Sequence, residues 1–161
     1  MITSAQNASG PLLTISDLHV TIPQRRGEVT PLRGVNLSVE SGRTLGIVGE
    51  SGSGKTMTAL AIMGLLPATG RISQGSIRFD GADLVSMSEK EARRRRGTDL
   101  GMVFQDPMTS LNPTMSIGDQ IGEGLIVHQR MTRKDARVRA IEILQRVGMP
   151  RPDRIASDFP H

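Results

Sequence analysis

Eight consecutive residues, Gly49-Glu50-Ser51-Gly52-Ser53-Gly54-Lys55-Thr56, have the types and the spacing to hold a polyphosphate. They fit glycine, four residues, glycine, lysine, then serine or threonine, the pattern of a phosphate-binding loop. Glycines at 49, 52 and 54 leave the main chain free to curl until successive N–H groups converge on one anion. Lys55 adds a compact positive charge that reaches the outer phosphates, and the Thr56 hydroxyl is placed to join the coordination shell of a magnesium ion. The chemistry implied is nucleotide binding. Which nucleotide and which reaction stay open, because kinases, GTPases and transport ATPases share the pattern.

Such a loop needs an element on each side to aim it. Thr44-Leu45-Gly46-Ile47-Val48 is a short apolar run suited to a buried parallel strand, and residues 57–66 can continue as a helix ended by Pro67. A helix starting here points its unpaired N–H groups and positive dipole end at the phosphates. Ala59, Leu60, Ile62, Met63, Leu65 and Leu66 make it apolar nearly all round, which predicts burial.

Around that centre, residues 12–22 alternate enough to be a strand, residues 24–28 read as a turn, and Val35-Asn36-Leu37-Ser38-Val39 has the strict two-residue alternation of a half-wetted strand. Residues 75–81 read as a strand closed by an Asp80-Gly81 turn, so Asp80 is assigned to the turn and not to a metal. A strand over 100–104 delivers Gln105 at its exit, where open α/β sheets place their chemistry. Ser88-Glu89-Lys90-Glu91 has the form of a capping box, which makes the basic run Arg93 to Arg96 the solvated end of a helix.

Beyond Ser116 the pattern turns helical. Ser116 to Asp119 and Thr132 to Asp135 both look like helix N-termini. The helix over 133–147 sets Ala136, Ala140, Ile143, Leu144 and Val147 on one stripe and stops at Gly148. The expected division is a flexible start over 1–11, an ATP-binding α/β core over 12–115, and the start of a helical subdomain over 116–161.

Composition narrows the class. A chain of 161 residues is one domain by length, and its 37% hydrophobic fraction with 18 glycines falls in the globular range. Without cysteine, disulfides and cysteine-ligated zinc are excluded. No apolar run reaches the roughly 18 residues that would span a bilayer, and the N-terminus lacks the basic region and apolar core of a secretion signal. The net charge of +4 is modest, and although the sequence pI of about 10.6 invites a nucleic-acid partner, three phenylalanines with no tryptophan or tyrosine leave no stacking platform, so none is expected.

Taken together, LRGVNLSVESGRTLGIVGESGSGKTMTALAIMGLLP, GSIRFDGADL and LGMVFQDPMTSLNP closely resemble the nucleotide-binding subunit of ABC transporters. The wording TSLNP after FQDP is similar to the oligopeptide and dipeptide importer group. The resemblance runs from about Leu12 to His161 and rests on several separated motifs. It implies an α/β fold of the P-loop NTPase type, an ABC nucleotide-binding domain with a RecA-like sheet core, an antiparallel β edge and a helical subdomain, here truncated. By the same resemblance the cofactors are ATP and Mg2+. ATP would be held by Gly49, Glu50, Ser51, Gly52, Ser53, Gly54, Lys55, Thr56 and Met57, and the metal by Thr56 and Gln105. Gln105 would be catalytic, sensing the γ-phosphate through the metal and the attacking water. Asp106 to Pro113 would face membrane-spanning permease subunits. A second ABC ATPase subunit, identical or different, and indirectly a substrate-binding protein complete the implied partners, at the cytoplasmic face of the inner membrane.

Two departures stand out. The position where many family members stack an aromatic residue on adenine matches Ile22, leaving an apolar contact there, or a cation contact from Arg25 or Arg26. The chain also ends at His161, ahead of the place where relatives carry the LSGG signature, the aspartate and glutamate for magnesium and water, and the switch histidine. His161 is not that histidine. The expectation is therefore an ATP-binding subunit for peptide transport of which this piece binds ATP weakly and turns it over negligibly. It should also be sticky, because apolar strand edges lack partners. The alternative is a non-hydrolytic nucleotide-binding remnant or regulatory module. A GTPase lacks support because Asn-Lys-x-Asp is absent, and a small-molecule kinase gives no reason for LGMVFQDPMTSLNP.

Overall fold

The computed structural model describes residues 10–106 and 110–161. The chain divides between Arg93 and Arg94 into two compact units. Most of the expected flexible start, and residues 107–109 of the segment assigned to the permease, lie outside the described residues.

In the first unit, β1 (Leu13–Gln24), β2 (Gly27–Val39), β3 (Arg71–Phe79) and β4 (Ala82–Asp83) form one antiparallel sheet in the order β2-β1-β3-β4. The chain turns between β1 and β2 at Arg25-Arg26, and β2 begins eight residues before the alternating stretch that marks it in sequence, at Gly27. The Asp80-Gly81 turn forms as expected. Both residues have positive φ, 48° and 75°, and Phe79 pairs with Ala82 across them, a two-residue hairpin matched to the twist of its strands.

Ile15, Leu18, Val20, Leu32 and Ile77 are buried together, with Ala61 of α1 (Lys55–Met63) packed onto them. Ile15 and Leu18 are three apart, so strict alternation would put them on opposite faces. A bulge solves this. The register of β1 shifts between Ile15 and Leu18 against β2 and between Ser16 and His19 against β3, and Asp17 takes φ 47°. The Asp17 N–H donates to Asn36 Oδ1 at 2.9 Å, its carboxylate lies 3.1 Å from His19 Nε2, and it accepts from Gln74 Nε2 at 2.5 Å. Those bonds, His19 first and Gln74 second, hold the Asp17 carboxyl below its usual range.

Helix α1 is shorter than residues 57–66 suggest. Gly64 ends it, not Pro67, by adopting φ 62° so that its N–H reaches Ala61 O and the Leu65 N–H reaches Leu60 O at 2.8 Å. The expected strands over 44–48 and 100–104 are not formed. A parallel strand needs a hydrogen-bonded neighbour, and among the described residues the ladders are β1 with β2, β1 with β3 and β3 with β4, all antiparallel. Consequently Val48 and Val103 are 95% and 96% exposed, where a buried strand would have hidden them.

Helix α2 (Glu89–Thr98) opens on the expected capping box, with the Glu91 carboxylate accepting from Ser88 N–H at 3.1 Å and Ser88 Oγ at 2.5 Å. The second unit holds α3 (Ile117–Gln129), α4 (Arg133–Arg146) and α5 (Pro152–Ile155). Ser116 Oγ accepts from Asp119 N–H and Thr132 Oγ1 from Asp135 N–H, each at 3.2 Å, so both predicted N-termini are capped. Ala136, Ala140 and Leu144 are buried in this unit. Val147 does not join them, because α4 ends at Arg146 and Val147 is left exposed in the cap. No helix among the described residues is long and apolar enough to cross a membrane.

Candidate functional site

The loop from Gly49 leads into α1 through Gly54, whose φ of 93° and ψ of −1° set the first helical turn. The Thr58 N–H and Thr58 Oγ1 both donate to Gly54 O, at 2.8 and 3.0 Å, so the helix start is fixed from inside. A Cβ on Gly54 would lie 2.6 Å from Leu32 Cδ2 and 3.3 Å from Pro31 O. The loop's junction with α1 is thereby wedged against β2, and only glycine has both the conformation and the size for it.

Lys55 folds back across the loop. Its ammonium donates to Gly49 O at 2.6 Å, Glu50 O at 2.7 Å and Ser53 Oγ at 3.1 Å. An ammonium has three donors and no acceptor, so each is matched within the loop and the charge sits over it. Gly49 serves this arrangement, since a Cβ there would meet Ser53 Oγ at 2.8 Å with Lys55 Nζ at 4.0 Å. Gly52, at φ 83°, turns the chain between them, and the Ser53 N–H donates to Glu50 O at 3.3 Å.

Ser53, Gly54, Lys55 and Thr58 line one side of a 460 Å3 cavity, with Val35 to Leu37 of β2 and residues 45–48 around the rest. Residues 49–53 are exposed, Glu50 and Ser51 among them, whereas Gly54 and Lys55 are half-buried. Thr56, the second residue of α1, is exposed, and Met57 is half-buried against the core. One hydroxyl cannot hold a divalent ion alone, and no cluster of three histidine or acidic side chains lies among the described residues. Thr56 would offer a magnesium ion one ligand, the rest of its shell coming from phosphate oxygens and water.

Ile22 is half-buried near the end of β1, opposite Val29, and does not line the cavity. Gln105 is exposed in the second unit, after the irregular run 100–104. The described part of the 106–113 segment has an organiser that the sequence does not single out. Gln120 of α3 accepts from Asn112 N–H at 2.9 Å and donates to Asn112 O at 2.9 Å and Met115 O at 3.1 Å. Glutamine on a helix carries no motif, so only the fold reveals this clamp.

The family model described as ABC transporter matches residues 32–160. The oligopeptide transport ATP-binding protein OppD of Bacillus subtilis (strain 168) is 50% identical over 151 residues, covering 93% of this chain and 42% of that protein. The dipeptide transport ATP-binding protein DppD of the same organism is 44% identical, with 93% and 45% covered. OppD of Escherichia coli (strain K12) is 44% identical over 157 residues, with 98% and 46% covered. The chain thus spans less than half the length of these curated relatives. Among solved structures, the ATP-binding cassette MJ0796, in a dimeric post-hydrolysis state bound to ADP and Pi, superposes with a TM-score of 0.79 at 25% identity, over 92% of this chain and 61% of that one.

Proposed function

We propose a function from one premise: this chain belongs to the ABC transporter family, whose model spans residues 32–160. In that reading the chain binds ATP at Gly49 to Thr56 as part of the ATP-binding subunit of a transporter, and ATP binding and hydrolysis drive oligopeptide or dipeptide transport. The relatives named for oligopeptide and dipeptide transport support the substrate class. The dimer of MJ0796 bound to ADP and Pi supports pairing with a second ATPase subunit. Permease subunits meeting the 106–113 segment, and peripheral placement on the cytoplasmic face of the membrane, complete the proposal.

The observation that carries it is the position of the Lys55 ammonium, held over the loop by Gly49 O, Glu50 O and Ser53 Oγ. A phosphate entering beneath it meets a charge already placed, so little side-chain freedom is lost on binding. The α1 N-terminus adds its unpaired N–H groups and the positive end of its dipole. Magnesium, when bound, neutralises charge that develops on the phosphates. Gln105 is assigned to sense the γ-phosphate through the metal and the attacking water, and Ile22 to an apolar contact with the base.

Calorimetry with Mg-ATP tests the core of the reading. Binding should be measurable, and Lys55→Ala should weaken it by roughly 1.5–3 kcal/mol, the worth of hydrogen bonds from a charged donor. No heat from the wild-type chain, or equal affinity in Lys55→Ala, would refute it.

A further inference from the structure

We infer that Ser53 is the positioning residue for Lys55: its hydroxyl takes the third ammonium proton and keeps that donor aimed at the phosphate seat until an anion claims it. This deepens, and rests on, the nucleotide-binding reading. The three bonds of the ammonium are unequal. Those to Gly49 O and Glu50 O are 2.6 and 2.7 Å, the lengths of strong charge-assisted bonds, while that to Ser53 Oγ is 3.1 Å. The two carbonyls fix where the charge sits, and the hydroxyl fixes where its remaining proton points.

A carbonyl can only accept, so the two short bonds contribute nothing further to an incoming anion. Ser53 differs. Its oxygen accepts from Lys55 while its own proton stays free to donate, so the side chain can pass the ammonium to a phosphate oxygen and then bond to that phosphate itself. The longest of the three bonds is the one exchanged. Gly49 is part of the same device, because a Cβ there would stand 2.8 Å from Ser53 Oγ and drive the hydroxyl off the ammonium.

Two readouts separate this role from a merely structural one. In Mg-ATP titrations Ser53→Ala should weaken binding about five- to tenfold, Ser53→Thr should restore it, and in a Lys55→Ala background Ser53→Ala should cost clearly less, only its own bond to phosphate being left to lose. The same loss in both backgrounds would show Ser53 acting on phosphate independently of Lys55 and would overturn the inference. The second readout needs no nucleotide. The chain has three lysines, Lys55, Lys90 and Lys134, and acylation by a small amine-selective reagent, read by mass spectrometry, should rise at Lys55 alone in Ser53→Ala and return with Ser53→Thr. Unchanged labelling of Lys55 also overturns the inference. If the wild type gives no heat with Mg-ATP, the nucleotide reading fails, and with it the phosphate role assigned to Ser53, while labelling still decides whether Ser53 holds Lys55.

Discussion

Gly54 carries two constraints at once, a left-handed φ of 93° and a β2 side chain where a Cβ would go. Gly54→Ala should therefore destabilise the first unit by on the order of 2 kcal/mol, seen as a lower denaturant midpoint, and displace Lys55 enough to weaken nucleotide binding as well. A second residue tests the bulge. Asp17 has its folded pKa lowered by its bonds to His19 and Gln74, so the stability it contributes is present above the unfolded carboxylate value of about 4 and is lost as pH falls through the lower folded value. Wild type should melt above Asp17→Asn at pH 7, and the gap should close as the pH drops below about 4. A gap that persisted at pH 2 would assign the effect to shape and not to charge. At this scale the loop was legible in the sequence, because glycine, lysine and hydroxyl residues at fixed spacing have few other uses. Gln120 was not, since its role comes from a contact eight residues away that no local pattern encodes.

Elements were legible where their ends are local chemistry. The Ser88, Ser116 and Thr132 caps, the Asp80-Gly81 hairpin and the Gly148 stop each depend on a few neighbouring residues, and all form as read. Thr132→Ala should cost about 1 kcal/mol, by removing the acceptor for Asp135 N–H and the partner of the Asp135 carboxylate. Thermal melting followed by helical circular dichroism checks this, and Thr132→Ser should recover most of the loss. The strands expected over 44–48 and 100–104 fail for the opposite reason. An apolar run states that a segment can be buried, but pairing depends on a neighbour supplied from elsewhere. The bulge at Asp17 likewise depends on pairing with β2 and β3, and its one trace in the sequence is the odd spacing of Ile15 and Leu18.

At the scale of the molecule, the two irregular apolar runs are the main liability. Val48 and Val103 stand 95% and 96% exposed, and Leu45, Ile47 and Phe104 are each about half exposed. Extended, unpaired and apolar backbone is a template for pairing with another chain. Sedimentation velocity should show concentration-dependent association, reduced in the double variant Val48→Ser, Val103→Ser. A single monomeric boundary across a tenfold concentration range would argue against it.

The contact of Gly54 with Leu32 has a consequence of its own. Leu32 sits in the oily interior of the sheet, 2% exposed, so the floor of the anion seat and the wall of that interior are one surface. Ligand occupancy should therefore be felt in β2 without any relay of polar groups. Amide exchange in the middle of that strand should slow when the seat is filled, and a repacking of the interior around Leu32 should alter the seat's grip.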